Sequence, residues 1–134
     1  MANIKYHLVQ RVEPGVEGGG ERKFYASIIH PERITIKELS EEIADGRTLT
    51  PTDVRAVLIS LARKLPVHLL KGHIVELEDL GSFTVNLSSN GSTTAEDYNE
   101  SFIRGLKIHF RPSADLKKNL KMAEYTKLNN DNAA

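Results

Sequence analysis

The sequence predicts an α+β fold, and three features carry that expectation. Two β-prone runs precede position 31, two helix patterns with full start signals follow between Ile34 and Leu70, and alternating runs return between Ile74 and Phe110. At 134 residues the chain is the size of one domain with one core. Hydrophobic residues make up 40% and charged residues 27%, the balance of a soluble globular protein. No apolar run approaches the roughly 18 residues of a membrane span, so no membrane partner is expected. The opening Met-Ala-Asn-Ile-Lys-Tyr-His has no apolar block of the kind a signal peptide carries, which points to a cytoplasmic protein. There is no cysteine, which excludes disulfides, thiolate metal sites and cysteine nucleophiles.

At the N-terminus, Ile4, Tyr6, Leu8 and Gln10 alternate with Lys5, His7, Val9 and Arg11, a period of two that predicts a strand with one buried face. Pro14, Gly15 and Gly18-Gly19-Gly20 break the run. A second strand is expected from Lys23 through Ile29, ended before Pro31, whose nitrogen has no hydrogen for a ladder. A hairpin alone is marginally stable in water, so this pair needs a surface to pack on, in its own chain or in a second subunit.

Two helices follow. Thr35 caps the first, Glu38 stands three residues on to complete a capping box, and Ile34 and Leu39 occupy the two positions of a hydrophobic staple. Ile36, Leu39 and Ile43 form its apolar face, and Gly46 stops it. Glu38, Glu41, Glu42 and Asp45 mark a solvated side, with no apolar pocket or partner base that would make them catalytic carboxylates. The second helix opens at Thr50-Pro51-Thr52-Asp53, with Thr50 as cap and Pro51 at the first position, where its missing N–H costs nothing. Val54, Val57, Leu58, Leu61, Ala62 and Leu65 form its stripe, widened by Ile59 and Leu69. That face is too broad for one short helix to cover, so it lies either at the centre of a monomer or against its twin in a dimer. A kink is expected at Pro66 and an end at Gly72.

The segment His73–Phe83 predicts a hairpin turning near Leu80 and Gly81, and Phe83, Val85 and Leu87 alternate with Ser82, Thr84 and Asn86. From Ser88 to Glu100 the composition is that of a loop or arm. A further strand carries Leu106, Ile108 and Phe110 in alternation with Lys107, His109 and Arg111 and ends at Pro112. Ser113 then caps a last helix, with Leu116 and Leu120 inward and Lys117, Lys118 and Lys121 outward.

Lys71-Gly72 before the hairpin, Leu80-Gly81-Ser82-Phe83 at its turn and His109-Phe110-Arg111-Pro112 before the last helix occur in an order that resembles the bacterial HU/IHF histone-like DNA-binding proteins. The resemblance covers roughly Ile34 to Lys121. The additional N-terminal hairpin resembles a longer HU-like branch known from Bacteroidetes. The resemblance implies an HU-like fold with a helical base, a β-saddle and an arm, assembled as an intertwined homodimer. It implies a dimer core of Val57, Leu58, Leu61, Leu65, Phe83 and Phe110. It divides the chain into an N-terminal hairpin at 1–31, an HU-like domain at 32–127 with its arm at about 86–104, and a disordered tail at 128–134.

Members of that family bend duplex DNA with a wedge, typically a proline at each arm tip in a basic stretch. Here the chain between Asn86 and Arg104 has no proline, and its charges are Glu96, Asp97 and Glu100. Asp79 also replaces the first glycine of the family's turn. The arm therefore repels phosphate, and the expected contacts move to the strand beside it. From Arg104 to Lys127 there are seven positive and two negative side chains, although the whole chain is neutral, with 18 of each sign. Arg104, Lys107 and Arg111 are expected to share one strand face toward a phosphate backbone. For Lys117, Lys118 and Lys121, the other candidate DNA-binding residues, solvation of the outer helix face is the slightly stronger reading.

His7, His30, His68, His73 and His109 show no helical ligand spacing and read as surface or strand residues, so no metal or other cofactor is expected. Gly18-Gly19-Gly20 is followed by no Lys-Ser or Lys-Thr and opens no helix, which makes it a turn and not a phosphate cradle. No catalytic constellation stands out, so neither an enzyme nor a small-molecule substrate is expected. Two functions remain. One is an architectural protein of the bacterial nucleoid that binds duplex DNA as a dimer with little sequence preference. The other is a dimer of the same fold used for protein interaction or assembly, with the added hairpin pairing edge to edge with a partner.

Overall fold

A computed structural model of the chain describes residues 3–128, and the contacts within it form two units. One holds the chain up to Arg33 and again from Asn119 onward, and the other is Ile34–Lys118. Among the described residues no helix is long and apolar enough to cross a membrane.

The first unit is a three-stranded sheet. Strands β1 (Asn3–Val12) and β2 (Arg22–Ile28) pair antiparallel, with Tyr6 opposite Ile28, Leu8 opposite Ala26 and Gln10 opposite Phe24. Opposed residues share a face, so Ile4, Tyr6, Leu8, Ala26 and Ile28 make one apolar surface, as the alternation predicts. The connecting loop is closed by Glu13 N donating to Glu21 O at 3.2 Å and by an exposed Lys23–Glu13 ion pair at 2.9 Å.

The third strand of this sheet was not expected. Glu124–Lys127 is extended and runs parallel to β1, with Asn3 opposite Glu124 and Tyr6 opposite Lys127. Leu128 N continues the ladder to Tyr6 O at 2.8 Å. The sequence reading put residues up to 127 in the HU-like domain and began a disordered tail at 128. The structure instead pairs 124–127 with the N-terminal strands and keeps Leu128 hydrogen-bonded. The rest of that tail, 129–134, lies outside the described residues.

In the second unit the helix starts are as expected. Helix α1 (Ile36–Ala44) begins at Thr35 and α2 (Pro51–Leu69) at Thr50, each with a complete capping box. Glu38 N donates to Thr35 Oγ1 at 3.3 Å and Thr35 N to Glu38 Oε2 at 3.1 Å, so two orphan donors are satisfied reciprocally. Gly46, at φ 70°, turns the chain after α1. Helix α2 continues through Pro66 to Leu69.

The expected hairpin is asymmetric. Strand β3 has two residues, Val75–Glu76, whereas β4 runs from Gly81 to Ser89, with Val75 opposite Phe83 and Glu76 opposite Ser82. The turn is held by Leu77 N to Gly81 O at 2.8 Å and Leu80 N to Leu77 O at 2.9 Å. Its left-handed residue is Glu78, at φ 42°, and not Asp79, so the missing glycine at 79 leaves the turn intact. Gly81 is the constrained position. It lies at φ 145°, and an added Cβ would stand 2.3 Å from Arg111 O.

Strand β5 (Ile103–Pro112) pairs antiparallel with β4, giving the order β3-β4-β5. The segment read as an arm contributes its ends to these strands. Between them the chain folds on itself, with Asn90 N donating to Phe102 O at 2.8 Å, Tyr98 hydrogen-bonded to Ser89, and the Tyr98 and Phe102 rings edge-on at 5.5 Å. Ser113 bonds Asp79 O through its hydroxyl, donates to Leu80 O through its N–H, and accepts from Leu116 N at 3.0 Å. It thus ties the turn to the start of α3 (Ala114–Leu120). Leu116 is half-buried, but Leu120, expected inward, is exposed.

Two outcomes follow for stability in denaturant. Gly81→Ala should lower it by about 2 kcal/mol or more, because both the dihedral and the contact with Arg111 O are violated. Thr35→Ala and Thr50→Ala should each cost about 1 kcal/mol, the ordinary worth of an N-cap.

Candidate nucleic-acid interface

The register of β4 and β5 sorts their side chains onto two faces. Phe83 lies opposite Phe110, Val85 opposite Ile108 and Leu87 opposite Leu106, so one face is a continuous apolar stripe. The Phe83 and Phe110 rings meet at 4.9 Å between centroids. On the other face Ser82 lies opposite Arg111, Thr84 opposite His109 and Asn86 opposite Lys107. Ser82, Thr84, Asn86, His109 and Arg111 of this row line an open trough of about 500 Å³, with Ile74, Phe110 and Pro112 at its margin. Glu76, paired with Ser82, adds one acid at the β3 edge.

Chemically, the polar face offers two cations, an imidazole, two hydroxyls and an amide in an ordered row, all of them donors suited to anionic oxygen. Lys107, His109 and Arg111 are exposed. Among the described residues the only ion pair is Lys23–Glu13, in the other unit, so neither cation of this face is neutralised by a carboxylate.

The six candidate cations are not brought together as the sequence suggested. Lys107 and Arg111 share the polar face. Arg104 does not follow their alternation, because the register shifts where Ser88 pairs with Gly105 and Ser89 with Ile103, leaving Arg104 at a bulge. Even without the shift, residues 104 and 107 have opposite parity in a strand of period two. Lys117 and Lys118 are exposed in the last turn of α3, where cations suit the helix dipole, and Lys121 is exposed just beyond it. Ser82, Thr84, Asn86 and His109 were passed over as site residues. Their signal lay in the parity they share with Lys107 and Arg111 once the two strands are aligned.

The six expected core residues lack full cover within one chain. Val57 is 64% exposed, Phe110 43% and Leu61 37%, while Leu58, Leu65 and Phe83 are half-buried. The described apolar residues that are buried are Ala44, Val54 and Leu69.

Residues 1–127 match the sequence model of a family described as an HU domain fused to wHTH, Ig, or a glycine-rich motif. The chain belongs to this HU-HIG family. The match covers residues 1–127, so the N-terminal strands belong to the HU-HIG pattern together with the helices and the β4–β5 pair. No curated protein matches the chain. Among solved structures, it is similar to a protein from Bacteroides vulgatus ATCC 8482 described as a candidate bacterial DNA-binding protein. The TM-score is 0.66 at 10% identity, and the likeness covers 96% of this chain and 50% of the other. At that identity the likeness is one of fold. The HU-HIG chain therefore has an HU-like α+β fold and spans about half the length of the solved chain it matches.

Proposed function

We propose that this protein is an architectural DNA-binding protein of the bacterial nucleoid, acting as a homodimer and binding duplex with little sequence preference. The observation that carries the reading is the row Arg111, His109 and Lys107 opposite Ser82, Thr84 and Asn86, on the side of the sheet away from the apolar stripe. Lys107 and Arg111 neutralise phosphate and the hydroxyls and amide donate to its oxygens, contacts that give affinity and register without reading bases. Family membership and the fold shared with the Bacteroides protein support DNA as the partner.

Dimerisation belongs to the same proposal. Leu106, Ile108, Phe110, Leu87, Val57 and Leu61 are all exposed in one chain, and burying each such side chain is worth about 1.5–3 kcal/mol. A second copy covering the helical and strand stripes doubles the basic row, giving a surface long enough for a duplex. Because the loop between β4 and β5 is acidic, proline-free and folded on itself, duplex binding here runs through the saddle face and not through a wedge at an arm tip.

A second reading, an assembly module of the same fold, is favoured by one feature. The N-terminal sheet leaves Phe24, Ile28 and Tyr125 exposed on its apolar side, and its outer strand β2 has a free edge.

Binding to a duplex of about 30 base pairs should weaken with salt along a log–log slope of about −3.5, for about four phosphates neutralised by Lys107 and Arg111 of the two chains. Lys107→Ala with Arg111→Ala removes these contacts and should bring the slope close to zero. No binding at low salt would leave the assembly reading standing. Light scattering should give twice the chain mass, and Ile108→Asp, which puts a charge on the apolar stripe, should shift the protein toward monomer.

A further inference from the structure

Helix α2 ends in a backbone motif that sets two histidines face to face. His73 N donates to His68 O at 3.1 Å and Gly72 N to Leu69 O at 3.0 Å, with Gly72 left-handed at φ 77°. This is the 6→1 and 5→2 pattern of a Schellman cap, with His68 at C3 and His73 at C″. Those are the two positions whose side chains meet across such a cap, normally as an apolar contact. Here both are imidazoles. Their Nδ1 atoms stand 3.1 Å apart and their ring centroids 5.4 Å apart, with the ring planes 33° from parallel.

That spacing matches a metal's bite. Two imidazole nitrogens at about 2.0–2.1 Å from one tetrahedral ion are about 3.3 Å apart. A few tenths of an ångström of side-chain adjustment on an exposed surface therefore converts the present Nδ1···Nδ1 contact into chelation, with the backbone already fixed by the cap. The ligands also sit at the negative end of a 19-residue helix, which favours a cation beside its last carbonyls. Neutral imidazole donors with no carboxylate select a borderline transition ion over magnesium or calcium. Among the described residues no third His, Cys, Asp or Glu joins them, so the remaining positions fall to water.

We propose that His68 and His73 form a bidentate site for a divalent transition-metal ion of the zinc class at the C-terminus of α2, bound through both Nδ1 atoms. Helical ligand spacing does not reveal the pair, because the two residues are five apart and lie on either side of the helix end. The site is independent of the DNA reading, since neither residue lies on the β4–β5 polar face.

The test is titration of the full chain with Zn²⁺ by calorimetry. His68→Gln and His73→Gln should each weaken binding by at least about tenfold, given that even supporting partners of metal ligands cost 10–100-fold. His30→Gln and His7→Gln should leave it unchanged. On the unaltered protein, ¹⁵N spectra should show Zn²⁺ shifting Nδ1, and not Nε2, of His68 and His73, a readout that needs no variant to fold. Equal Zn²⁺ affinity in all four variants, or ring shifts confined to other histidines, would overturn the site and leave the pair as a hydrogen-bonded cap.

Discussion

The constraint on which the rest of this structure depends is apolar surface that one chain cannot cover by itself. The capping boxes of α1 and α2 are satisfied and the β4–β5 ladder is long and regular, yet few side chains behind them are out of water. Caps and ladders alone offset little of the entropy lost in ordering the chain, which is balanced chiefly by apolar burial. On the proposed reading the missing burial comes from a second copy. Folding and association are then one event, and stability depends on protein concentration.

The parts of the fold decided by local chemistry were legible in the sequence. Thr35 with Glu38 and Thr50 with Asp53 name their own helix starts, because the cap and its partner lie within one turn. Phe83, Val85 and Leu87 announce a strand face by alternation alone. What stayed hidden depends on partners far away or on a break in period. Strand β6 is four residues long, and its ladder partner is some 120 positions earlier, so no local pattern identifies it. Arg104 falls at a bulge, where the simple alternation of a strand no longer decides which face a side chain takes.

The same contrast separates the two candidate sites. The Lys107–Arg111 face was half legible. Its cations were visible as a charge surplus, while the hydroxyls and the amide that complete it became site residues only through the β4–β5 register. The His68–His73 pair does not show in helical spacing, although Gly72 marks the end of α2 in the sequence. The glycine that closes the helix is also what carries His73 back over His68.

The pairing of β6 with β1 bears on when the protein can fold. Asn3 and Glu124 share a rung, so β1 is synthesised some 120 residues before the strand that completes its sheet. Until Lys127 has been made, β1 and β2 are a bare two-stranded ribbon with one edge of β1 unpaired, the kind of species that associates wrongly. Closing a loop of that length carries a large entropic cost and slows folding. The intervening stretch, Ile34–Lys118, is a compact unit of its own. Its prior folding would shorten the loop that must close before β6 can reach β1.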